Sequence, residues 1–158
     1  MISYFMGAAF AGIYSAAYRL GNYASFFLMP IGLILFPTIT KFYDEKNLAE
    51  VKNYLKYSLK YLMMIAIPSA YALSILAKPM LKILTTTEFI PGSTIVPFIA
   101  CGAVLLSFYQ ICIYVIHLVK RTELIVKLLG TSAGLNILLN IILIPRVGIL
   151  GAAIATLV

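Results

Sequence analysis

Hydrophobic residues in this chain come in long runs, separated by short segments that carry nearly all of the charge. From Thr94 to Val119 there are 26 consecutive residues without a charged side chain, and a second run extends from Tyr61 to Ala77. About 20 apolar residues rising 1.5 Å each cross a hydrocarbon core of roughly 30 Å. The pattern predicts four complete spans, near residues 13–40, 57–77, 94–119 and 124–144, and two partial spans at 1–6 and 147–158. GAAFAG (7–12) reads as a short connection. Pro30 and Pro37 fall inside the first span and Pro68 breaks the second, each removing a backbone donor.

The connections are equally legible. In KFYDEKNLAEVKNYLKYSLK the residues Leu48, Val51, Leu55 and Leu59 share one helical face, which predicts a segment lying in the interface before the chain turns inward. KPMLKILTTTEFIPGS reads as a basic and polar loop, KRTE as a tight turn, and IPRVG as the turn into the last partial span. Both chain ends fall inside predicted helices, so the expected object is a piece of a longer protein. The fold class expected is an all-α membrane protein, a multi-pass bundle of transmembrane helices.

Composition excludes the soluble alternative. The 158 residues are 63% hydrophobic and 11% charged, against roughly 45–50% and about 25% in ordinary soluble domains; the mean hydropathy is +1.03. The N-terminus lacks the basic region of a signal peptide, and the apolar runs continue throughout. A net charge of +7 would suggest nucleic acid in a soluble protein. Here the basic residues sit between spans and set orientation instead, and no nucleic-acid partner is expected. Lys41, Lys46, Lys52, Lys56 and Lys60, with Lys120, Arg121 and Lys127, fall on one side; Lys78, Lys82 and Arg146 fall on the other. The richer side is expected in the cytoplasm.

Candidate chemistry is sparse. The five carboxylates (Asp44, Glu45, Glu50, Glu88, Glu123) all fall in loops or at helix ends. No metalloprotease, zinc-ribbon, Walker or dinucleotide motif is present, so no catalytic residue, metal or cofactor is expected and the protein is not read as an enzyme. Cys101 and Cys112, about 16 Å apart along one helix, are beyond disulfide reach and read as small buried apolar residues. His117, with Gln110 seven residues earlier on nearly the same face, is either a satisfied interfacial histidine or part of a proton-coupled pathway.

Three features remain. Asn136 and Asn140, four residues apart, place two amides on one helix face. An unpaired amide in hydrocarbon costs several kcal/mol, so that face must meet protein or a wet cavity, either to hydrogen-bond a neighbouring helix or to contact substrate. Gly130 and Gly134 on the same helix form a Gly-x-x-x-Gly, expected to admit the Gly/Ala-rich start of the next span. Arg19, in AGIYSAAYRLGNYASFFLMP, precedes a long apolar segment without belonging to a basic loop. It is either an anchor snorkelling to the outer interface or a fixed cation for an anionic substrate, and Tyr14 and Tyr18 are its candidate cavity-lining companions.

The order of these features resembles one family. GIYSAAYRL followed by a Pro-interrupted span ending in LFPTITKFYDEKN, the turn HLVKRTELI, and NILLNIILIPRVGILGAAIAT are similar to the second half of polysaccharide flippases of the multidrug/oligosaccharidyl-lipid/polysaccharide exporter superfamily. The resemblance implies a fragment of a two-times-six-helix transporter of the cytoplasmic membrane. Such a protein turns lipid-linked oligosaccharide precursors across the bilayer by alternating access. Implied partners are the lipid bilayer, a polyprenyl-(pyro)phosphate-linked glycan and the missing N-terminal half of the same protein. Competing readings are a drug or cation exporter of the same superfamily, a polymerase or ligase of cell-surface polysaccharide assembly, and a scaffold that transports nothing.

Overall fold

A computed structural model describes residues 2–26 and 28–157. The described residues contain no strand. Helices α1 (Ile2–Met6) and α2 (Ala8–Asn22) are followed by a 3-10 turn at Tyr23–Ser25, then by α3 (Leu28–Asp44), α4 (Leu48–Leu84), a 3-10 segment at Thr87–Thr94, α5 (Val96–Leu118), α6 (Glu123–Val147) and α7 (Ile149–Ala155). Three of these, α4, α5 and α6, are long and apolar enough to cross a membrane. A fourth span arises if α2 with its 3-10 turn and α3 are taken together, bent by 44°. The chain is a multi-pass helical membrane protein.

Several boundaries differ from those read off the sequence. The first span is broken ahead of α3, whose first turn holds Pro30, a position where a missing backbone N–H costs nothing. Upstream of that point the chain tightens into the 3-10 turn, with Ser25 Oγ donating to the Asn22 carbonyl at 2.8 Å. Only Gly7 remains of the expected connection at 7–12. The expected interfacial segment does not turn before entering the membrane: α4 is one helix of 37 residues that runs through Pro68 and Pro79. Its first turn is held by Asn47, whose Oδ1 accepts from the Glu50 backbone N–H at 3.3 Å. The basic loop after it is mostly helical as well, since α4 continues to Leu84. α6 likewise continues through Pro145 to Val147.

Two tight turns close the basic end of the bundle, each with a lysine in the left-handed region. Lys46 (φ 58°) follows α3 and Lys120 (φ 56°) follows α5. The Asn47 N–H reaches back to the Phe42 carbonyl and the Arg121 N–H to that of Ile116, at 2.9 and 3.2 Å, which satisfies carbonyls that a helix end leaves free.

Packing fixes the direction of each helix. At one end, Ala17 and Leu20 of α2, Ala77 and Leu81 of α4, Ile95 with Val96 and Ile99 at the start of α5, and Ala153 of α7 form one buried cluster. At the other, Leu35 and Ile39 of α3 meet Val51 and Leu62 of α4 and Ile111 and Leu118 of α5. Between them Ala24, Ala100 and Ala103 let backbones come close. Lipid tails are as apolar as these side chains, so the gain here is dispersion contact and not transfer out of water. Thus α2, α3 and α5 run one way and α4 and α6 the other. Serine and threonine hydroxyls satisfy themselves within their own helices, as Ser69 does on Ile65 and Ser107 on Ala103, each at 2.7 Å.

Cys101 and Cys112 correct one expectation, because both are exposed on α5 and not buried. A thiol facing lipid is in an apolar medium and needs no protein cover. Gly130 and Gly134 correct another: no atom lies within 4 Å of where a Cβ would stand on either. Among the described residues α7 meets α6 at Asn136 and Leu143. The close approach occurs at Gly151 instead, where an added Cβ would lie 2.5 Å from the Leu143 carbonyl oxygen. Gly148 adopts φ 69° and ψ −141°, a conformation open to glycine and few others.

Candidate functional site

Several polar side chains from α2 and α6 meet at the end of α7. Asn136 lies 13 residues after the start of α6 and 11 before its end, close to the middle of the span. Its Nδ2 donates to the Ala155 carbonyl at 2.7 Å. Asn140, one turn further along, donates to the Asn136 carbonyl and to its Oδ1 at 2.8 and 2.9 Å. The two amides form a ladder in which Asn140 orients Asn136 and Asn136 ties α6 to α7.

Thr156 is the junction, and the sequence reading passed over it. Its Oγ1 donates to the Ala152 carbonyl at 2.8 Å, which uses its only proton, so the 3.0 Å contact with Tyr14 Oη has the tyrosine as donor. Tyr14 in turn stacks on Tyr18, centroids 6.0 Å apart at 24°. Three clefts meet at Thr156. One of ≈ 400 Å³ is lined by Ser3, Tyr14, Ser15 and Asn140. A second of ≈ 240 Å³ includes Tyr18, Asn22 and Gly102. A third, also ≈ 240 Å³, includes Tyr109, Ser132 and Gly102. The Tyr109 hydroxyl is the one buried side-chain oxygen or nitrogen without a hydrogen-bond partner among the described residues. A lone threonine between Ala155 and Leu157 gives no sequence signal, because its role depends on a partner 142 positions away.

Chemically this seam is neutral. It offers hydroxyls, amides and aromatic faces, and no carboxylate or imidazole lines its three clefts. Among the described residues, no group of three or more His, Cys, Asp or Glu side chains stands close enough to hold a metal. Such a surface can donate and accept hydrogen bonds through neutral groups.

Arg19 stands apart from it, one cleft away. With Ser15, Tyr23 and Thr85 it rims a cleft of ≈ 340 Å³ between α2 and the last turns of α4. The neighbouring Leu20 packs in the cluster at the start of α5, so Arg19 is level with the first turn of that helix. The guanidinium is exposed and forms no hydrogen bond or ion pair among the described residues. His117 and Gln110 are not brought to this end at all. His117 is exposed near the end of α5, its ring 6.1 Å from that of Phe36, and neither residue makes a side-chain hydrogen bond among the described residues.

Fold and seam together define a multi-pass helical membrane protein whose apolar bundle carries a polar strip through its interior. The chain belongs to the polysaccharide biosynthesis protein family, whose model matches residues 1–93. It is similar to an uncharacterized membrane protein of Methanocaldococcus jannaschii, 28% identical over 98% of this chain and 31% of the relative. It is also similar to two proteins of Haloferax volcanii. One, named a probable low-salt glycan biosynthesis flippase (Agl15), is 24% identical over 99% of this chain and 33% of its own length. The other, named a probable flippase (AglR), is 29% identical over 99% and 33%. The chain spans about a third of the length of these relatives. No solved structure matches it.

Proposed function

We propose that this chain is part of a transporter that turns lipid-linked oligosaccharide precursors across the membrane by alternating access. The observation that carries the reading is the seam at Thr156, where α2, α6 and α7 share hydroxyl and amide contacts and three clefts meet. Polar groups in the middle of a span are expensive and mark a ligand path by default. Membership of a polysaccharide biosynthesis family, and relatives named as flippases, make a glycan the natural occupant.

In this reading the chain forms part of the C-terminal half of a two-times-six-helix protein and completes its cavity with the N-terminal half. Arg19 meets the phosphate or pyrophosphate of a polyprenyl carrier at the mouth of the cavity, where a permanently charged planar fork matches phosphate oxygens. Tyr14 and Tyr18 present stacked rings to the sugars, and Asn136 and Asn140 hold α6 to α7 and hydrogen-bond the glycan. No nucleotide motif is present, so the driving force is an ion gradient or the membrane potential, with His117 and Gln110 as candidates for proton coupling. The protein carries its substrate across and does no covalent chemistry on it.

The test uses the full-length protein in sealed vesicles loaded with a fluorescent polyprenyl-pyrophosphate disaccharide. Transport exposes the inner pool to an enzyme or oxidant added outside, beyond the fraction accessible in protein-free vesicles. No gain over protein-free vesicles, under an imposed ion gradient and membrane potential of either sign, removes the reading.

A further inference from the structure

The Tyr109 hydroxyl is buried and has no hydrogen-bond partner among the described residues. Tyr109 lies on α5, 13 residues after Val96 and 9 before Leu118. Ser132 lies on α6, 9 residues after Glu123. The two helices run in opposite directions from one tight turn, so equal counts from that turn set the two residues at one level. At 1.5 Å per residue that level is about 14 Å in, close to half of a hydrocarbon core of roughly 30 Å. Both residues line the same cleft of ≈ 240 Å³.

Neither hydroxyl is satisfied by its own helix. Thr131, next to Ser132, donates to the Leu128 carbonyl at 2.9 Å, a common arrangement in helices. Ser132 makes no such bond among the described residues. Thr156, also on the cleft wall, gives its proton to Ala152 and accepts from Tyr14, which leaves one lone pair on Oγ1. The remaining walls are leucine and glycine.

A buried hydroxyl without a partner is costly. An apolar ligand does not meet that need, and an ion would enter a cleft that carries no opposite charge. A small neutral molecule that both donates and accepts does meet it. Water takes about 30 Å³ in the liquid and needs two to four polar partners. Here three hydroxyls face a space several times that size.

We propose that this cleft holds ordered water bridging Tyr109 Oη to Ser132 Oγ, and that the bridge is the mid-membrane joint between α5 and α6. Apolar packing leaves that role open: none of the three buried clusters among the described residues contains a residue of α6. A water bridge is enthalpically close to a direct hydrogen bond, so it ties α6 to the bundle at a level where those clusters do not. The inference rests on the cleft alone and stands apart from the flippase reading.

The test is X-ray footprinting of the full-length protein in lipid nanodiscs, where brief irradiation turns bound water into hydroxyl radicals that oxidise the side chain beside it. Tyr109 is expected to be oxidised in the wild type although its hydroxyl is shut off from bulk solvent. Ser132→Leu fills the cleft from α6. Gly102→Val fills it from α5, at a position where an added Cβ meets nothing closer than 3.4 Å. Should one variant melt below wild type, the other carries the comparison. Each is expected to cut Tyr109 oxidation at least tenfold and to leave that of Tyr57, exposed on α4, unchanged. A second measurement asks whether the water links the two hydroxyls. Tyr109→Phe and Ser132→Ala are expected to be non-additive in thermal melting, the double variant losing no more than the worse single one. An unoxidised Tyr109 in the wild type overturns the inference, whether the two hydroxyls bond directly or a side chain from the rest of the protein fills the cleft. Oxidation that persists in a folded, filled variant overturns it too, and so do additive single effects.

Discussion

Tyr14 Oη donates to Thr156 Oγ1 at 3.0 Å, joining two residues 142 positions apart and tying α2 to the end of α7. Both are also walls of the ≈ 400 Å³ cleft, so the contact that holds the helices together also shapes the space between them. Tyr14→Phe and Thr156→Val each remove one partner while keeping size. Each should lower stability in detergent by about 1 kcal/mol, and a double-mutant cycle should return a coupling of about 0.5–1.5 kcal/mol. Additive single effects would mean that the two hydroxyls do not bond in the full-length protein.

The amide ladder predicts an asymmetry. Asn136→Leu removes the bond to Ala155 between helices, and interhelical bonds of this kind in membranes average about 0.6 kcal/mol, up to about 1.7. Asn140→Leu removes bonds made only to Asn136 on its own helix, so its effect on melting should be smaller. The double variant should still insert, since both changes make α6 more apolar. If transport falls in Asn140→Leu without a shift in melting, that amide contacts substrate; unchanged melting and transport in the double variant would put this face of α6 against lipid.

How much of this was readable in the sequence follows from which interactions are local. The apolar runs mark α5 and α6 to within a few residues, and the i, i+4 spacing of Asn136 and Asn140 announces a polar face. Both signals repeat along one helix. The fused α4 was not legible, because a lysine face and a proline, as at Pro68, signal a boundary in water and are tolerated where a long helix leaves the membrane. Thr156 was invisible for the opposite reason: its neighbours in sequence are ordinary, and its meaning lies in Tyr14. The Gly-x-x-x-Gly at Gly130 was visible and misassigned, since a motif says that close approach is allowed and not which backbone arrives.

The glycines can be separated experimentally. At Gly151 an added Cβ meets backbone, the Leu143 carbonyl carbon and oxygen at 2.6 and 2.5 Å, and neither can rotate away. Gly151→Ala should therefore destabilise by about 1–3 kcal/mol, the range for overpacking. Gly130→Ala and Gly134→Ala meet open space within this chain and should be neutral or slightly stabilising, because alanine favours the helix. A loss at Gly130 or Gly134 comparable to that at Gly151 would reveal a neighbouring backbone contributed by the rest of the full-length protein.

Orientation is open to direct labelling. Asn47 lies at the turn between α3 and α4, and Thr86 just beyond the far end of α4; both are exposed. In a protein stripped of Cys101 and Cys112, which are themselves exposed, a single cysteine at Asn47 should be shielded from a membrane-impermeant thiol reagent in intact cells. One at Thr86 should label. The lysine count predicts the Asn47 end in the cytoplasm, and labelling at Asn47 with protection at Thr86 would invert the topology.

Arg19 distinguishes anchoring from recognition. Its level near the first turn of α5 allows the guanidinium to reach headgroup phosphates, which is what a snorkelling anchor does. The cleft it shares with Ser15 and Thr85 is equally suited to a phosphate delivered by substrate. An anchor needs only charge and reach, so Arg19→Lys should preserve insertion, abundance and export alike. A recognition site uses the planar fork, so Arg19→Lys should lose most of the transport rate while abundance stays near wild type, and Arg19→Ala should abolish export of the lipid-linked glycan. Losing one charge-assisted contact of about 1.5–3 kcal/mol corresponds to a fall of roughly 10- to 150-fold in apparent substrate affinity. Full complementation of a flippase-deficient strain by Arg19→Ala would reduce the residue to an anchor and move the phosphate site to helices outside this chain.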